Sequence, residues 1–169
     1  MRFLILFIFL TTNVFANDVS EIKNIVIHKE LKIYDNVIFL DKNDKKINIK
    51  EFNGNLLLLN FWATWCEPCK EEMPSLDRLQ TNENLSNLKI FLINISQENE
   101  KKVDSFFKDL NIENLEPYFD TPITLAKTFS LRGVPTSILI DKDGKEFARI
   151  FGSIDFDDKI FINWLKTYN

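Results

Sequence analysis

The chain has 169 residues, of which 45% are hydrophobic and 27% charged, the make-up of one globular domain with a core of its own. Its net charge is −4 and no basic stripe runs through it, which argues against a nucleic-acid partner. Two cysteines and one histidine are too few for a disulfide-stapled scaffold or for a structural zinc site, which takes about four ligands.

Met1-Arg2, the apolar run Phe3 to Leu10 and the small-residue end Val14-Phe15-Ala16 are laid out as a secretory signal over residues 1–16. The alternative is an uncleaved anchor, although the run is shorter than the about 20 apolar residues of a membrane span. No cysteine follows it, so a lipoprotein is excluded. Residues 17–30 read as a polar lead-in, loose or an edge strand, with an apolar patch at Ile25-Val26-Ile27, and residues 31–169 as one domain.

Val37 to Leu40, the polar turn Asp41-Lys42-Asn43-Asp44 and Ile47 to Ile49 predict a hairpin. Leu56 to Trp62, apolar except at Asn60, predicts a central strand covered on both faces. A helix is expected from Glu67 to about Gln80, kinked at Pro74. Then follow a buried strand from Leu88 to Ile95 and a helix from Glu98 to Leu110 with Val103, Phe106, Phe107 and Leu110 on one face. A short helix over Pro122 to Phe129 comes next. Strands Thr136 to Ile140 and Glu146 to Phe151 flank the turn Asp143-Gly144, and a helix from Asp155 to Tyr168 closes the chain. A parallel crossover followed by an antiparallel ending makes the class α/β.

Both cysteines fall in Cys66-Glu67-Pro68-Cys69, at the step from the central strand into a helix. The positive end of a helix stabilises a thiolate on the first sulfur. Cys66 is therefore expected to be exposed and to attack a partner disulfide, and the more shielded Cys69 to resolve the mixed disulfide. Glu67 places negative charge near the sulfurs and should favour a reductant, with little effect if its side chain points into water; Pro68 stiffens the turn. Lys70 after Cys69 rules out a c-type haem attachment, and His28 is expected at the surface. Copper handling through the two thiolates, and a general disulfide oxidase or isomerase, are the rival functions. Gly133-Val134-Pro135-Thr136 opens the third strand; read locally, Pro135 is an ordinary trans proline. Were the bond cis, the free backbone groups of Val134 could bind an extended substrate beside Cys66.

The segment Asn60 to Pro74, with Gly133-Val134-Pro135-Thr136 and the following Ile138 to Gly144, resembles the TlpA/ResA group of thioredoxin-like proteins. The resemblance implies a thioredoxin fold with an N-terminal β-hairpin over Val37 to Gly54 and a helical insertion near Gln97 to Pro117. It implies an exported, periplasmic or membrane-tethered thiol reductase whose only redox centre is the Cys66–Cys69 pair. Implied partners are a membrane thiol transporter as electron donor and, as substrate, apocytochrome c or a protein that loads copper into cytochrome oxidase. It makes Pro135 cis, and places Trp65, Val134 and Pro135 where substrate binds. Glu72 becomes a proton acceptor for Cys69, the alternative being a surface glutamate in a helix ion pair, and Asn60 stands where thioredoxin has a buried aspartate.

Overall fold

The structure, a computed structural model, describes residues 22–169; the expected signal segment lies outside them. In chain order the strands are β1 (Ile25–Ile33), β2 (Ile38–Leu40), β3 (Lys46–Asn48), β4 (Leu56–Trp62), β5 (Leu88–Asn94), β6 (Pro117–Phe119), β7 (Thr136–Ile140) and β8 (Lys145–Phe151). The helices are α1 (Glu67–Gln80), α2 (Glu100–Asp109), α3 (Leu125–Thr128) and α4 (Lys159–Leu165). The strands form one sheet in the order β1-β8-β7-β4-β5-β6-β2-β3.

Strand β4 lies at the centre, parallel to β5 and antiparallel to β7. All seven of its residues are buried, because its alternate side chains enter two separate cores. Leu56, Leu58 and Trp62 join α1, α2 and α4 in one. Leu57, Leu59 and Phe61 join α3 and the β2–β3 hairpin in the other. Each Leu or Phe taken out of water contributes about 1.5–3 kcal/mol, so this strand is the anchor for everything attached to its ends.

Helix α1 starts at once after the turn that ends β4. Cys66 is its N-cap, Pro68 falls in the first turn where a missing N–H costs nothing, and Arg78 faces the negative end of the dipole. The helix continues through Pro74 to Gln80 instead of breaking there.

Several expected boundaries shift. Of the two expectations for the lead-in the edge strand is the one found: β1 lies at one edge of the sheet, antiparallel to β8, and runs past residue 30 to Ile33. Helix α2 begins at Glu100, where the Asn99 side chain caps the Lys102 N–H, so Glu98 lies in the preceding loop. Helix α3 begins only at Leu125, where the Asp120 carboxylate holds Thr124 and Leu125 by their N–H groups. Helix α4 begins at Lys159, fixed by the cap of Asp158. Strand β6, which no apolar run announced, joins the β2–β3 hairpin to β5.

Candidate active site

At the carboxyl end of β4 the chain turns through Ala63 to Cys66, closed by a bond from the Cys66 N–H to the Ala63 carbonyl at 3.1 Å. Cys66 and Cys69 are joined as a disulfide, with their Cα atoms 5.3 Å apart. The Cys69 N–H donates to Cys66 Sγ at 3.3 Å, so the first sulfur caps the helix and lies in the field of its positive end. Cys69 is fully buried. Cys66 is 4% exposed rather than open to solvent as expected; both sulfurs belong to the core against which Val134 packs, which leaves only an edge of the first.

One helical turn beyond Cys69, Glu72 points inward from α1 and is 2% exposed. Asn60 Nδ2 donates to its Oε1 at 2.7 Å and to Ser137 Oγ at 2.9 Å, tying α1 to β4 and β7. Glu72 Oε2 and Asn60 Oδ1 have no partner. Burial outweighs the Asn60 bond and the nearby Ile154 backbone and pushes the Glu72 carboxyl up to about 8, so at neutral pH it is mostly a neutral acid. A groove of about 410 Å³ between α1 and the chain after β8 is lined by Glu72, Ser75, Arg78 and Ile154.

Strand β7 runs antiparallel to β4, with Thr136 beside Phe61, and so delivers the preceding loop to the dithiol end. The Val134–Pro135 bond is cis, as the resemblance implied and the local reading did not. Pro135 is buried and Val134 half-buried. Among the described residues neither backbone group of Val134 has a hydrogen-bond partner. Trp65 is 66% exposed beside Cys66 and supplies an apolar surface. Thus Trp65, Cys66, Cys69, Glu72, Val134 and Pro135 gather at one end of the sheet.

Glu67 does not face the sulfurs. Its side chain is 73% exposed and pairs with Lys70 at 2.7 Å, which dilutes the charge effect expected of it. His28 is not a surface residue: its side chain is 13% exposed and Nε2 lies 2.7 Å from Glu146 Oε1, because β1 packs along β8. Sequence reading passed over Ser137, whose signal was its register opposite Asn60, and Glu98, whose contacts to Thr64 left no local signal.

The redoxin family profile matches residues 21–156. A thiol-disulfide oxidoreductase ResA of Bacillus cereus is 35% identical over 117 residues, covering 69% of this chain and 66% of that protein. ResA of Bacillus subtilis is 29% identical over 119 residues, 70% of this chain and 65% of its own. The match therefore spans just under two thirds of the length of these relatives. Among solved structures, a thiol:disulfide interchange protein DsbE from Chlorobium tepidum superposes with a TM-score of 0.71 at 20% identity, covering 82% of this chain and 96% of that one. StoA from Bacillus subtilis does so with a TM-score of 0.64 at 22% identity, over 80% and 97%. These superpositions establish the thioredoxin fold. With the family profile covering most of its length and the dithiol motif at the expected turn, the chain belongs to the redoxin family, in the thioredoxin-like group that includes ResA.

Proposed function

We propose that this protein is a thiol–disulfide oxidoreductase that works as a protein-disulfide reductase. The observation that carries the reading is the pairing of a helix-capping sulfur, Cys66, with a wholly buried one, Cys69, one turn ahead of a buried neutral acid, Glu72. In the reduced protein the Cys66 thiolate attacks a substrate disulfide. A mixed disulfide forms, and one substrate sulfur leaves as a thiolate and takes a proton from water. Glu72, mostly neutral, first loses its proton to water; the Cys69 thiol then gives its proton to that carboxylate and attacks Cys66 Sγ, releasing the second substrate sulfur as a thiolate. Two electrons pass to the substrate and the Cys66–Cys69 disulfide results.

A carboxyl at about 8 is close to a free thiol at about 8.5, so proton transfer between them is nearly balanced. The groove beside Glu72 would be that proton's route to solvent. Trp65 and the free backbone groups of Val134 would hold an extended substrate strand, an arrangement that uses main-chain bonds rather than side-chain pockets.

The site acts on the exported side of a membrane, after the signal-like layout of residues 1–16. Among the described residues no helix is long and apolar enough to cross one. Following the motif resemblance, the substrate is apocytochrome c or a copper-site assembly protein, and a membrane thiol transporter returns the electrons.

The test is capture by the reduced Cys69→Ala variant of a peptide bearing a Cys-x-x-Cys-His disulfide. Accumulation of a mixed disulfide through Cys66 is the expected result. Capture by Cys66→Ala instead would reverse the assigned roles. A reduction potential as high as about −120 mV would make the protein an oxidant.

A further inference from the structure

Glu98 lies in the loop between β5 and α2, with its side chain 8% exposed. Its two oxygens accept from three segments of chain. From the turn that carries the dithiol come the Thr64 N–H at 3.2 Å and, in a shorter contact, the Thr64 hydroxyl. From the end of β5 come Asn94 Nδ2 at 3.3 Å and Ser96 Oγ at 2.6 Å, and from α2 comes Lys102 Nζ at 2.5 Å. Three of these partners, the Thr64 N–H, Asn94 Nδ2 and Lys102 Nζ, can only donate, and the Thr64 and Ser96 hydroxyls can do so, a set of neighbours that suits a carboxylate accepting at both oxygens. Burial works against that charge, yet the bonds from Lys102, Ser96 and Thr64 outweigh it and hold the carboxyl down to about 2. Glu98 stays ionised throughout the working range.

Thr64 is two residues ahead of Cys66, is 7% exposed, and is followed by the outward-facing Trp65. The turn has one internal backbone bond, from Cys66 to Ala63. Ala63 and Cys66 pack into the core, and among the described residues the Glu98 carboxylate is the side chain that hydrogen-bonds the turn to the loop after β5. We propose that Glu98 is a positioning residue for the dithiol: acting through Thr64, it fixes the turn so that Cys66 Sγ stays at the start of α1, aligned for attack. The inference rests on Cys66 being the attacking thiol.

Positioning and simple electrostatics predict opposite signs for one variant. A carboxylate near Cys66 disfavours its thiolate, so Glu98→Gln, judged by charge alone, should speed the reaction of Cys66. If Glu98 positions the turn, Glu98→Gln presents an amide N–H₂ to donors, loosens Thr64 and slows it. The measurement is the second-order rate of the reduced protein with hydroxyethyl disulfide, a probe too small to need the substrate surface, with thermal melting recorded alongside. Thr64→Val, which changes no charge, and Glu98→Gln should each lower the rate by roughly tenfold, and Thr64→Ser should restore it. A wild-type rate in folded Thr64→Val, or a faster Glu98→Gln, overturns the proposal. If Glu98→Gln does not fold, Thr64→Val and Thr64→Ser decide the question alone. A wild-type protein that does not react with the probe through Cys66 at all would count against the reductase reading instead, so the two failures are distinct.

Discussion

Glu146 on β8 and Glu72 on α1 are 0% and 2% exposed, yet the fold treats their charges in opposite ways. Around Glu146, on the face of the sheet with Tyr34 and Phe129, every oxygen is occupied. Arg149 donates through Nε at 2.8 Å and Nη2 at 2.9 Å, Tyr34 Oη donates at 2.5 Å, and His28 Nε2 is 2.7 Å away. Burial pushes this carboxyl up, but the Arg149, Tyr34 and His28 bonds outweigh it, and the group is held below its ordinary value. Around Glu72, on the opposite face with the dithiol, the Asn60 amide donates to Oε1, the Ile154 backbone lies close enough to favour the charge slightly, and Oε2 makes no hydrogen bond. The first arrangement is a closed knot between β1, β8 and the end of α3, where Arg149 Nη1 also donates to the Phe129 carbonyl at 2.7 Å. The second leaves a proton free to come and go. A buried carboxyl with all its bonds made serves as structure; one with a bond unmade serves chemistry.

The contrast breaks most visibly at Arg149. Arg149→Met would strand the Glu146 charge in the core, and the cost expected for losing one partner of a buried pair is about 3–5 kcal/mol. Urea unfolding at pH 7 measures it, and a loss under about 1 kcal/mol would mean that Tyr34 and His28 suffice to hold the charge.

Glu72 gives a smaller effect, and one that depends on pH. Its folded value, about 8, lies above the ordinary 4.5, so the folded protein binds the proton more tightly than the unfolded chain. Stability from this group is complete below about 4.5 and is lost as pH rises through 8. Glu72→Gln cannot ionise. The oxidised variant should match the wild type near pH 5 and exceed it at pH 9 by an amount on the order of a few kcal/mol. In the reduced protein the same change should slow release of the mixed disulfide by about a hundredfold while leaving Cys66 attack in place. Parallel stability curves for the two proteins across this range would show that Glu72 does not titrate as placed here.

The difference between these regions also marks what the sequence made legible. The dithiol turn is local: two cysteines and a proline within four residues, just after the end of an apolar strand. The central strands are legible for a similar reason, since burial on both faces turns β4, β5 and β7 into apolar runs. The knot at Glu146 joins His28 to a residue 118 positions away, and nothing around either residue points to the other. His28 therefore read as an exposed residue in a loose lead-in. Glu98 read as the first residue of a helix because the spacing of Val103, Phe106, Phe107 and Leu110 fixes a helical face but not where it starts; it is Asn99, one residue on, that caps α2 and leaves Glu98 in the loop to hold Thr64. The starts of α3 and α4 shifted for a similar reason, since the Asp120 carboxylate, upstream of α3, holds the Thr124 and Leu125 N–H groups and the Asp158 side chain caps α4. Periodicity locates elements, whereas single polar contacts across the fold decide their limits and their chemistry.

Glu67 completes the series of glutamates with the smallest effect. It stands between the two cysteines in sequence, where a charge ought to shift the thiol most, yet its side chain faces water and meets Lys70 at 2.7 Å. An exposed ion pair of this kind is screened by solvent and by salt, and the lysine cancels much of the field that reaches the sulfurs. Glu67→Gln should therefore alter the rate of Cys66 with a small disulfide by less than about twofold, and the difference should vanish at about 1 M salt, where the Debye length is about 3 Å. A change of about tenfold that persists at high salt would mean that the Glu67 charge acts on Cys66 through the protein rather than through water, and that the side chain turns inward when the disulfide is reduced.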